Sequence, residues 1–547
     1  MKKKVLAVLL TAAMTATLAA GCGVPGGGGS DDGGSGDGSG EKVFRYSTRT
    51  EPTTLDPTKG NCIPDNEIQH ALTEGLVRNT GGEVEPGTAE EWEVSEDGLT
   101  YTFHLREDAK WSDGEPITAN DYVYSWQRLL NPETAAPYAF IGEYIKNGLA
   151  VEKGEMDPSE LGVVAEDDQT LVVTLEHPTE YFLSLIGSSG QFAPLRQDVV
   201  EEYGTDFAAD AEKNVYSGPY VLTSSENQQW IFEPNEEYWN RDAINLDRVE
   251  LTYVQNQDTA LAMYESGDLD YSELPSASVQ NYEDTAEVFR NGNVDYFYYN
   301  LDCGNPAMAN TNFRLALNYA LNRNEYNTLV NNDLYVPSTG LAFSGLADNG
   351  STWGENSTLE GYPLDGDEEA AKEYLDTALS ELGMSDPSEI TVTITTTDNE
   401  SAKKQAEVVQ EMWTKALGIN VQIEQITYAE VLTRHSTGDF EIAWGGWGSD
   451  YDDAYSYLEL FKSDSAYNYS NYANAEVDEL LNGSQTETDP AKRSEMLHQA
   501  EQIIIDEAAF LPQAEREVYY LMDEDVTGVE FFHCAVNIDW VYADITE

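Results

Sequence analysis

Apolar and polar residues alternate in two segments, which is the pattern of a strand with one face buried. The alternating apolar positions are Leu99, Tyr101, Phe103 and Leu105 in the first segment and Leu171, Val173 and Leu175 in the second. A shorter strand is predicted near residue 44, followed by an extended, Pro-containing loop up to residue 61. The first part of the chain is therefore expected to contain sheet.

Apolar residues spaced three and four positions apart predict amphipathic helices further along the chain. The two stripes are Phe313, Ala316, Leu317, Ala320 and Leu321, and then Ala402, Ala406, Val409, Trp413, Ala416 and Leu417. Gly418 is the predicted C-cap of the second helix, and Thr118 is the predicted N-cap of an earlier one. Strands predicted at residues 391–396 and 421–426 flank the second stripe, which indicates an α/β domain with partly parallel pairing.

Residues 444–453, WGGWGSDYDD, combine glycine, tryptophan, tyrosine and carboxylates directly after a predicted strand that ends near residue 444. The glycines indicate a bend or the close approach of another backbone. Tryptophan offers a large apolar face, and a carboxylate beside it can hold an ammonium group by charge-assisted hydrogen bonds. Two interpretations remain open: a small-ligand pocket, or an aromatic core cluster at a strand end.

The first forty residues have the pattern of an export signal followed by a tether. Lys2, Lys3 and Lys4 precede an apolar stretch at residues 5–20 and then Gly21 and Cys22. The segment LAAGC resembles the bacterial lipobox, which implies a signal peptide at 1–21 and lipid attachment at Cys22. Cleavage a few residues later is the alternative. The Gly-, Ser- and Asp-rich stretch that completes residues 22–40 predicts a flexible tether.

Length and charge limit the remaining possibilities. The 547 residues exceed what one hydrophobic core normally holds, so two or three domains are expected. The net charge of −71 argues against nucleic acid and anionic membrane surfaces as partners. No segment after the signal is apolar over the roughly eighteen residues that a membrane span requires. The sequence thus predicts an exported protein attached to the membrane only through its lipid anchor.

The sequence contains no pattern that predicts a catalytic, metal or cofactor site. Three cysteines follow Cys22, namely Cys62, Cys303 and Cys534, which allows at most one disulfide between an undetermined pair. The six histidines lack metal-ligand spacing, and no nucleophile elbow, zinc-protease helix or phosphate loop is present. A secreted glycosidase, with two acids flanking a cleft, is the alternative from another class, but acids are too abundant for a pair to stand out.

Eight segments in order resemble the oligopeptide-binding branch of the family 5 extracellular solute-binding proteins, the receptors that feed peptide ABC importers. They are EPTTLDP at 51–57, SEDGLTYTFHLREDAKWSDGEPITANDYVYSWQRLLNP at 95–132, YSGPY at 216–220, NEEYWN at 235–240, ALAMYESGDLD at 260–270, FRLALNYALNR at 313–323, the 444–453 segment and AEQIIIDEAAFLPQ at 500–513. Together these segments extend over nearly the whole chain after the tether.

The resemblance implies an α/β fold of the periplasmic-binding-protein-like class II kind, with two large lobes, a hinge and an extra inserted domain. The implied domain I comprises 41–73, 214–300 and 519–547, domain II comprises 74–213 and domain III comprises 301–518. The ligand is expected between the lobes, where hinge closure buries it.

The same resemblance implies a set of ligand-binding residues. Asp450 matches an aspartate that grips the α-amine of an extended peptide, and Tyr138 matches a tyrosine on the ligand face of domain II. The full set implied is Asn61, Ile63, Tyr138, Trp444, Gly446, Trp447, Gly448, Asp450 and Tyr451. The sequence departs from enterobacterial-type members at Asn61, where they have an acid, and at Trp444, where they have a basic residue. How a ligand carboxylate is held is therefore left open.

The expected function is that of a lipid-anchored receptor on the extracytoplasmic face of the cell membrane. It would be a monomer that captures peptides and delivers them to an ABC importer, in direct contact with the permease that works with the ATPase subunits. Family members that bind dipeptides, nickel chelates, haem or sugars share these motifs and remain alternatives. Ligand length, side-chain preference and a role in nutrition or signalling are left open.

Overall fold

The computed structural model describes residues 40–80 and 83–546. The predicted signal peptide at 1–21, Cys22 and residues 23–39 of the tether lie outside the described residues. The lipid-attachment prediction at Cys22 is therefore not addressed by the structure.

The largest sheet brings together strands from distant parts of the chain. In spatial order it contains Tyr271–Glu273, Phe510–Met522, Glu287–Tyr299, Ile442–Trp447, Thr391–Thr397 and Asn420–Ile426, and Val336–Pro337 pairs with the second of these. Thr391–Thr397 runs parallel to both of its neighbours, whereas Glu287–Tyr299 runs antiparallel to both of its neighbours. The prediction of a partly parallel α/β sheet is confirmed.

Two four-stranded sheets are built from the first half of the chain. One contains Val43–Thr48, Arg248–Tyr253, Gln229–Pro234 and Tyr220–Glu226, and the other contains Ala89–Val94, Thr100–Leu105, Thr170–Thr174 and Val163–Asp167. Two-stranded pairs are Val77–Thr80 with Glu83–Pro86, Ala347–Asp348 with Ser351–Thr352, Val526–Thr527 with Asp544–Ile545, and Glu530–Cys534 with Val536–Asp539. The strands predicted from alternation are confirmed to within one or two residues.

The α-helices pack on these sheets. They are Ile63–Leu72, Ala119–Leu130, Gly148–Glu152, Phe182–Ser188, Gln197–Tyr203, Gln257–Ser266, Pro306–Ala309, Thr311–Ala320, Arg323–Asn331, Trp353–Asn356, Glu368–Leu382, Glu400–Leu417, Tyr428–Thr437, Tyr455–Leu458, Ala475–Ser484 and Pro490–Asp506. Within the described ranges, none of the helices has the length and apolar character to cross a membrane.

The predicted helix boundaries follow from their capping residues. Thr118 precedes the Ala119–Leu130 helix, and its backbone N–H donates to Asp121 Oδ2 at 2.8 Å. Gly418 ends the Glu400–Leu417 helix with φ of 72°, a conformation that glycine adopts without steric penalty. Both capping predictions are confirmed.

The two predicted apolar stripes face each other in one core. Trp413 is fully buried, and its indole Nε1 donates to the backbone oxygen of Leu317 at 2.9 Å. The ring therefore fills the space between the helices while its only polar atom is satisfied. The described residues from Glu41 onward form one compact unit, and the three-domain division stays a prediction.

Candidate ligand-binding cleft

The Ile442–Trp447 strand is paired on both sides for only part of its length. One neighbour, Glu287–Tyr299, pairs with it from Ile442 to Trp447. The other neighbour, Thr391–Thr397, pairs only at Ile442 and Ala443. Among the described strands, none pairs with residues 444–447 on that second side, so this stretch presents a free strand edge.

The strand continues through the glycines, whereas the sequence predicted that it ends near residue 444. The ring of Tyr298, on the neighbouring strand, occupies the space that a Cβ at Gly445 would need, and the backbone oxygen of Val294 does the same at Gly446. The glycines therefore permit close packing within a strand instead of a bend.

A cavity of about 410 Å³ adjoins the free strand edge. Eight of the nine predicted ligand-binding residues line it: Asn61, Ile63, Tyr138, Trp444, Gly446, Trp447, Gly448 and Asp450. The structure thus brings together residues from three distant segments that the sequence analysis had grouped only by resemblance.

Tyr451 is the predicted site residue that does not line the cavity. Its side chain is 1% exposed, and its ring stacks on Tyr181 with a centroid separation of 4.5 Å. Its hydroxyl donates to Glu459 Oε1 at 3.1 Å. Tyr451 therefore packs into the core, whereas the preceding residue, Asp450, lines the cavity; a ligand contact of Tyr451 stays a prediction.

The three aspartates of the loop have different partners. Asp453 is buried and forms a bidentate ion pair with Arg493, at 2.7 and 3.0 Å. Asp452 pairs with His533 at 2.8 Å. Asp450 has no cationic partner in the part of the chain that the structure describes; its side chain accepts a hydrogen bond from the Tyr138 hydroxyl. Asp450 is thus the loop acid whose charge is left without compensation.

Burial raises the pKa of the Asp450 carboxyl to about 7, and the hydrogen bond from Tyr138 opposes that rise. A carboxylate that loses water without gaining a cation is destabilised relative to its protonated form. The backbone N–H of Asp450 donates to Ser456 Oγ at 3.1 Å, which fixes the direction of the main chain. The cavity therefore contains a preorganised acid suited to a cationic group.

Contacts with the C-terminal segment hold the loop in place. Ser449 pairs with Cys534 in a parallel bridge, and the N–H of Ala535 donates to the Ser449 oxygen at 3.0 Å. The nearby contact between His533 Nε2 and Asp452 Oδ1, at 2.8 Å, joins the same two segments. The position of Asp450 is consequently set by tertiary contacts on both sides of it.

Residues 61–63 supply another part of the cavity wall. Ile63 begins the Ile63–Leu72 helix, and the Asp65 carboxylate accepts from the Thr53 N–H at 2.6 Å and the Thr53 hydroxyl at 2.8 Å. The Asn61 N–H lies 3.4 Å from the same carboxylate. These bonds hold the preceding loop against the helix and place Asn61 and Ile63 on the cavity.

A second compartment of about 670 Å³ extends the first. Ile63, Asn293, Tyr428 and Arg516 line both compartments, so the two are adjacent parts of one cleft. Arg516 forms an ion pair with Asp295 at 2.6 Å. Arg49 lines the second compartment but not the first. Both arginines of the cleft therefore line the second compartment, and Arg516 lines the first compartment as well.

Several residues that line the cavity were not predicted from the sequence. These are Tyr428, Leu432, His435, Tyr467, Tyr469 and Arg516, among others. Tyr428, Leu432 and His435 belong to the Tyr428–Thr437 helix, Tyr467 and Tyr469 to a single loop, and Arg516 to the Phe510–Met522 strand, so no single local pattern covers all six. The one available signal was the spacing of Tyr428 and Leu432, which share a face of the Tyr428–Thr437 helix.

Cys62, Cys303 and Cys534 are free thiols in this structure. The described residues include no group of three or more histidine, cysteine, aspartate or glutamate side chains that could hold a metal ion.

The fold and the cleft are those of an extracytoplasmic solute receptor. Residues 83–469 match the family described as bacterial extracellular solute-binding proteins, family 5 Middle, and the chain belongs to this family. The α/β fold of the periplasmic-binding-protein-like class II kind, predicted by resemblance, is confirmed. The family is one of solute-binding proteins and not of enzymes.

Individual relatives cover nearly the whole chain. The oligopeptide-binding protein OppA of Bacillus subtilis (strain 168) is 32% identical over 541 residues, which cover 97% of each chain. The dipeptide-binding protein DppE of the same organism is 31% identical over 509 residues, covering 92% of each. The solved structure of Listeria monocytogenes OppA bound to peptide is 30% identical, with a TM-score of 0.79, and covers 93% of this chain and 100% of that one.

Proposed function

We propose that this protein captures peptides in the cleft beside Asp450 and delivers them to an ABC importer. It acts by binding and carries out no catalysis. The observation that carries this proposal is the uncompensated Asp450 carboxylate, which faces a cavity at the end of a free strand edge.

The free edge at residues 444–447 supports backbone recognition. An extended peptide can add to an exposed strand edge through main-chain hydrogen bonds, which do not depend on the identity of its side chains. The glycines of this strand leave the edge unobstructed by side chains of their own. A receptor with such a site accepts peptides of varied sequence.

Asp450 supports recognition of a free amino terminus. An ammonium group that enters the cleft loses water, and burying it unpaired costs several kcal/mol. The Asp450 carboxylate supplies the opposite charge, and because its own pKa is raised, it gains from such a partner. The α-amine of the ligand therefore binds at Asp450.

The position of Asp450 sets the direction of the peptide. From Asp450, which follows the strand, the ligand runs back along the free edge toward Trp444, antiparallel to the strand. The second compartment shares Ile63, Asn293, Tyr428 and Arg516 with the first and includes Arg49, so it adds room and positive charge to the same cleft. The added room favours oligopeptides over dipeptides.

The N-terminal segment supports attachment to the cell surface. The LAAGC sequence favours lipid modification of Cys22, and residues 23–40 provide a tether. We infer that the receptor is a monomer on the extracytoplasmic face of the membrane. From there it contacts the permease directly, and the ATPase subunits power import.

Calorimetry with a matched pair of peptides tests the proposal. A pentapeptide with a free amine should bind the purified protein, and its N-acetylated form should bind one to several orders of magnitude more weakly. Asp450→Asn should weaken binding of the free-amine peptide by a similar factor and abolish the difference between the two peptides. Asp376→Asn, on an exposed face of the Glu368–Leu382 helix, is the matched control and should bind as the wild type does.

Equal affinity for the two peptides, or an unaffected Asp450→Asn variant, would contradict the assignment of Asp450. Native mass spectrometry of the protein as purified provides an independent test, because a retained ligand reveals its class by mass. A bound sugar, haem or metal complex would overturn the peptide proposal. Release of cleaved peptide on incubation would contradict the absence of catalysis.

A further inference from the structure

The Tyr428–Thr437 helix presents two exposed apolar side chains to the cleft. Tyr428 is 57% exposed and Leu432 is 45% exposed, and both line the cavity beside the free strand edge. They are four residues apart and so lie on one face of the helix. Large apolar side chains left in contact with water inside a binding cleft indicate a surface that a ligand covers.

Aromatic rings complete this surface. Trp444 meets Tyr428 edge-on, with a centroid separation of 6.4 Å and an interplanar angle of 73°. His435 and Tyr469 stack at 5.1 Å, and both pack against the ring of Tyr298. We call the surface formed by Tyr428, Leu432, His435, Trp444 and Tyr469 the aromatic compartment.

The aromatic compartment carries no charge at neutral pH. Burial lowers the pKa of His435 to about 4, so its imidazole is neutral. The carboxylate and guanidinium groups that line the same cavity are not part of the aromatic compartment: Asp450 follows the strand, and Arg516 and Asp295 pair with each other. A charged ligand group that entered the aromatic compartment would lose water without gaining a partner.

We propose that the aromatic compartment selects peptides with an aromatic or branched aliphatic side chain at the third or fourth residue. This proposal rests on the proposed function, because it takes the ligand amine to be held at Asp450. In an antiparallel pair each ligand residue lies opposite one strand residue. With the first ligand residue beside Trp447, the third and fourth lie beside Gly445 and Trp444, next to the aromatic compartment.

The expected selectivity follows from apolar burial. Moving a leucine or phenylalanine side chain from water into such a surface favours binding by about ten- to a hundredfold relative to alanine. The backbone pairing along the free edge does not discriminate among side chains. The receptor is therefore tolerant at most positions and selective at one.

A positional peptide series tests the proposal. Alanine pentapeptides carrying one phenylalanine, leucine, glutamate or lysine at each position in turn are titrated into the full-length protein by calorimetry. Phenylalanine and leucine should raise affinity tenfold or more at the third or fourth position alone, and glutamate should lower it there. Equal affinities for phenylalanine and glutamate at those positions would overturn the proposal.

Substitutions in the aromatic compartment test whether its residues cause the preference for phenylalanine at the third or fourth ligand position. Leu432→Ala and Tyr428→Ala should each lower the ratio of the affinity for the phenylalanine peptide to the affinity for the alanine pentapeptide, from tenfold or more toward one. Leu329→Ala is the matched control, because Leu329 is 46% exposed on the Arg323–Asn331 helix and lines neither compartment. An unchanged preference in both compartment variants would overturn the assignment to these residues.

The proposed function and the proposed selectivity predict different results for the wild-type protein. If the proposed function is wrong, none of the pentapeptides binds the wild-type protein. If only the selectivity is wrong, the alanine peptide binds and substitutions at the third and fourth positions change nothing. The wild-type series decides between these outcomes even if a variant fails to fold.

Discussion

The Tyr138 hydroxyl donates a hydrogen bond to the Asp450 carboxylate, joining the residue before the Ala139–Gly142 helix to the loop after the Ile442–Trp447 strand. Both residues line the same cavity. Because the bond favours the ionised carboxylate while burial opposes it, the two effects together set the pKa at which Asp450 can receive a cation.

Removing this hydrogen bond should weaken peptide binding most at low pH. In Tyr138→Phe the Asp450 carboxylate loses a donor, so its pKa rises and less of it is ionised at pH 7. We expect affinity to fall about tenfold at pH 6.5 and less at pH 8, since hydrogen bonds to charged groups are worth about 1.5–3 kcal/mol. Calorimetry at the two pH values measures this, and an equal loss at both would argue that Tyr138 acts through contact with the ligand.

Peptide affinity of the wild type should depend on pH on both sides of neutrality. Below pH 7 the Asp450 carboxyl, with its pKa of about 7, takes up a proton that ammonium binding must displace, so affinity falls about tenfold per pH unit. Above pH 8 the peptide α-amine, with a pKa of about 7.7–8.0, loses its proton and affinity falls again. Titrations between pH 5 and 9 should show this maximum, and Asp450→Asn should lack the acid limb.

The buried Asp450 carboxyl should destabilise the ligand-free protein at neutral and alkaline pH. An unfolded aspartate ionises at about pH 3.9, whereas folding raises the pKa of Asp450 to about 7, so the folded state loses stability as pH rises between these values. Asp450→Asn removes this effect and should stabilise the ligand-free protein by on the order of 1–3 kcal/mol at pH 8, with little change at pH 4. Urea unfolding of stripped protein measures the difference, with Asp376→Asn as the control. A variant less stable than the wild type at pH 8 would contradict the physical account.

Gly445 should tolerate substitution less well than Gly448. A Cβ at Gly445 meets the ring of Tyr298, which is buried and held by its contacts with Tyr296 and Tyr469. A Cβ at Gly448 meets only the side-chain amide of Asn293. Gly445→Ala should therefore lower the free energy of unfolding by about 1–3 kcal/mol, and Gly448→Ala by less. Equal losses in denaturant unfolding would show that Tyr298 can move.

The buried ion pair between Arg493 and Asp453 should be essential to the loop. Arg493→Met leaves the Asp453 carboxylate buried without its cation, which costs about 3–5 kcal/mol of stability. Lys372→Met breaks an exposed pair with Glu368 and should change stability by less than about 1 kcal/mol. Thermal unfolding of both variants checks the contrast. Similar behaviour of the two would mean that the loop is held by its other contacts.

Much of the fold followed from local patterns in the sequence. These patterns are the alternation at residues 99–105, the apolar stripes around Phe313 and Trp413, and the caps Thr118 and Gly418. Each depends only on residues close in sequence, because strand and helix periodicity and capping hydrogen bonds act between near neighbours. The resemblance of eight segments placed Asp450 and eight other residues near a ligand, and the structure gathers all of them except Tyr451 around one cavity.

The tertiary structure decided which of the loop residues face that cavity. Local sequence pattern alone does not distinguish Asp450, Asp452 and Asp453; in the structure Arg493 pairs with Asp453 and His533 hydrogen-bonds to Asp452, whereas neither of them contacts Asp450. The free strand edge exists because Thr391–Thr397 leaves its neighbour after Ala443, and the aromatic compartment exists because a helix, a strand and a loop converge there. A sequence determines elements through interactions between near neighbours, whereas uncompensated charge, open strand edges and clefts depend on which distant residues pack nearby.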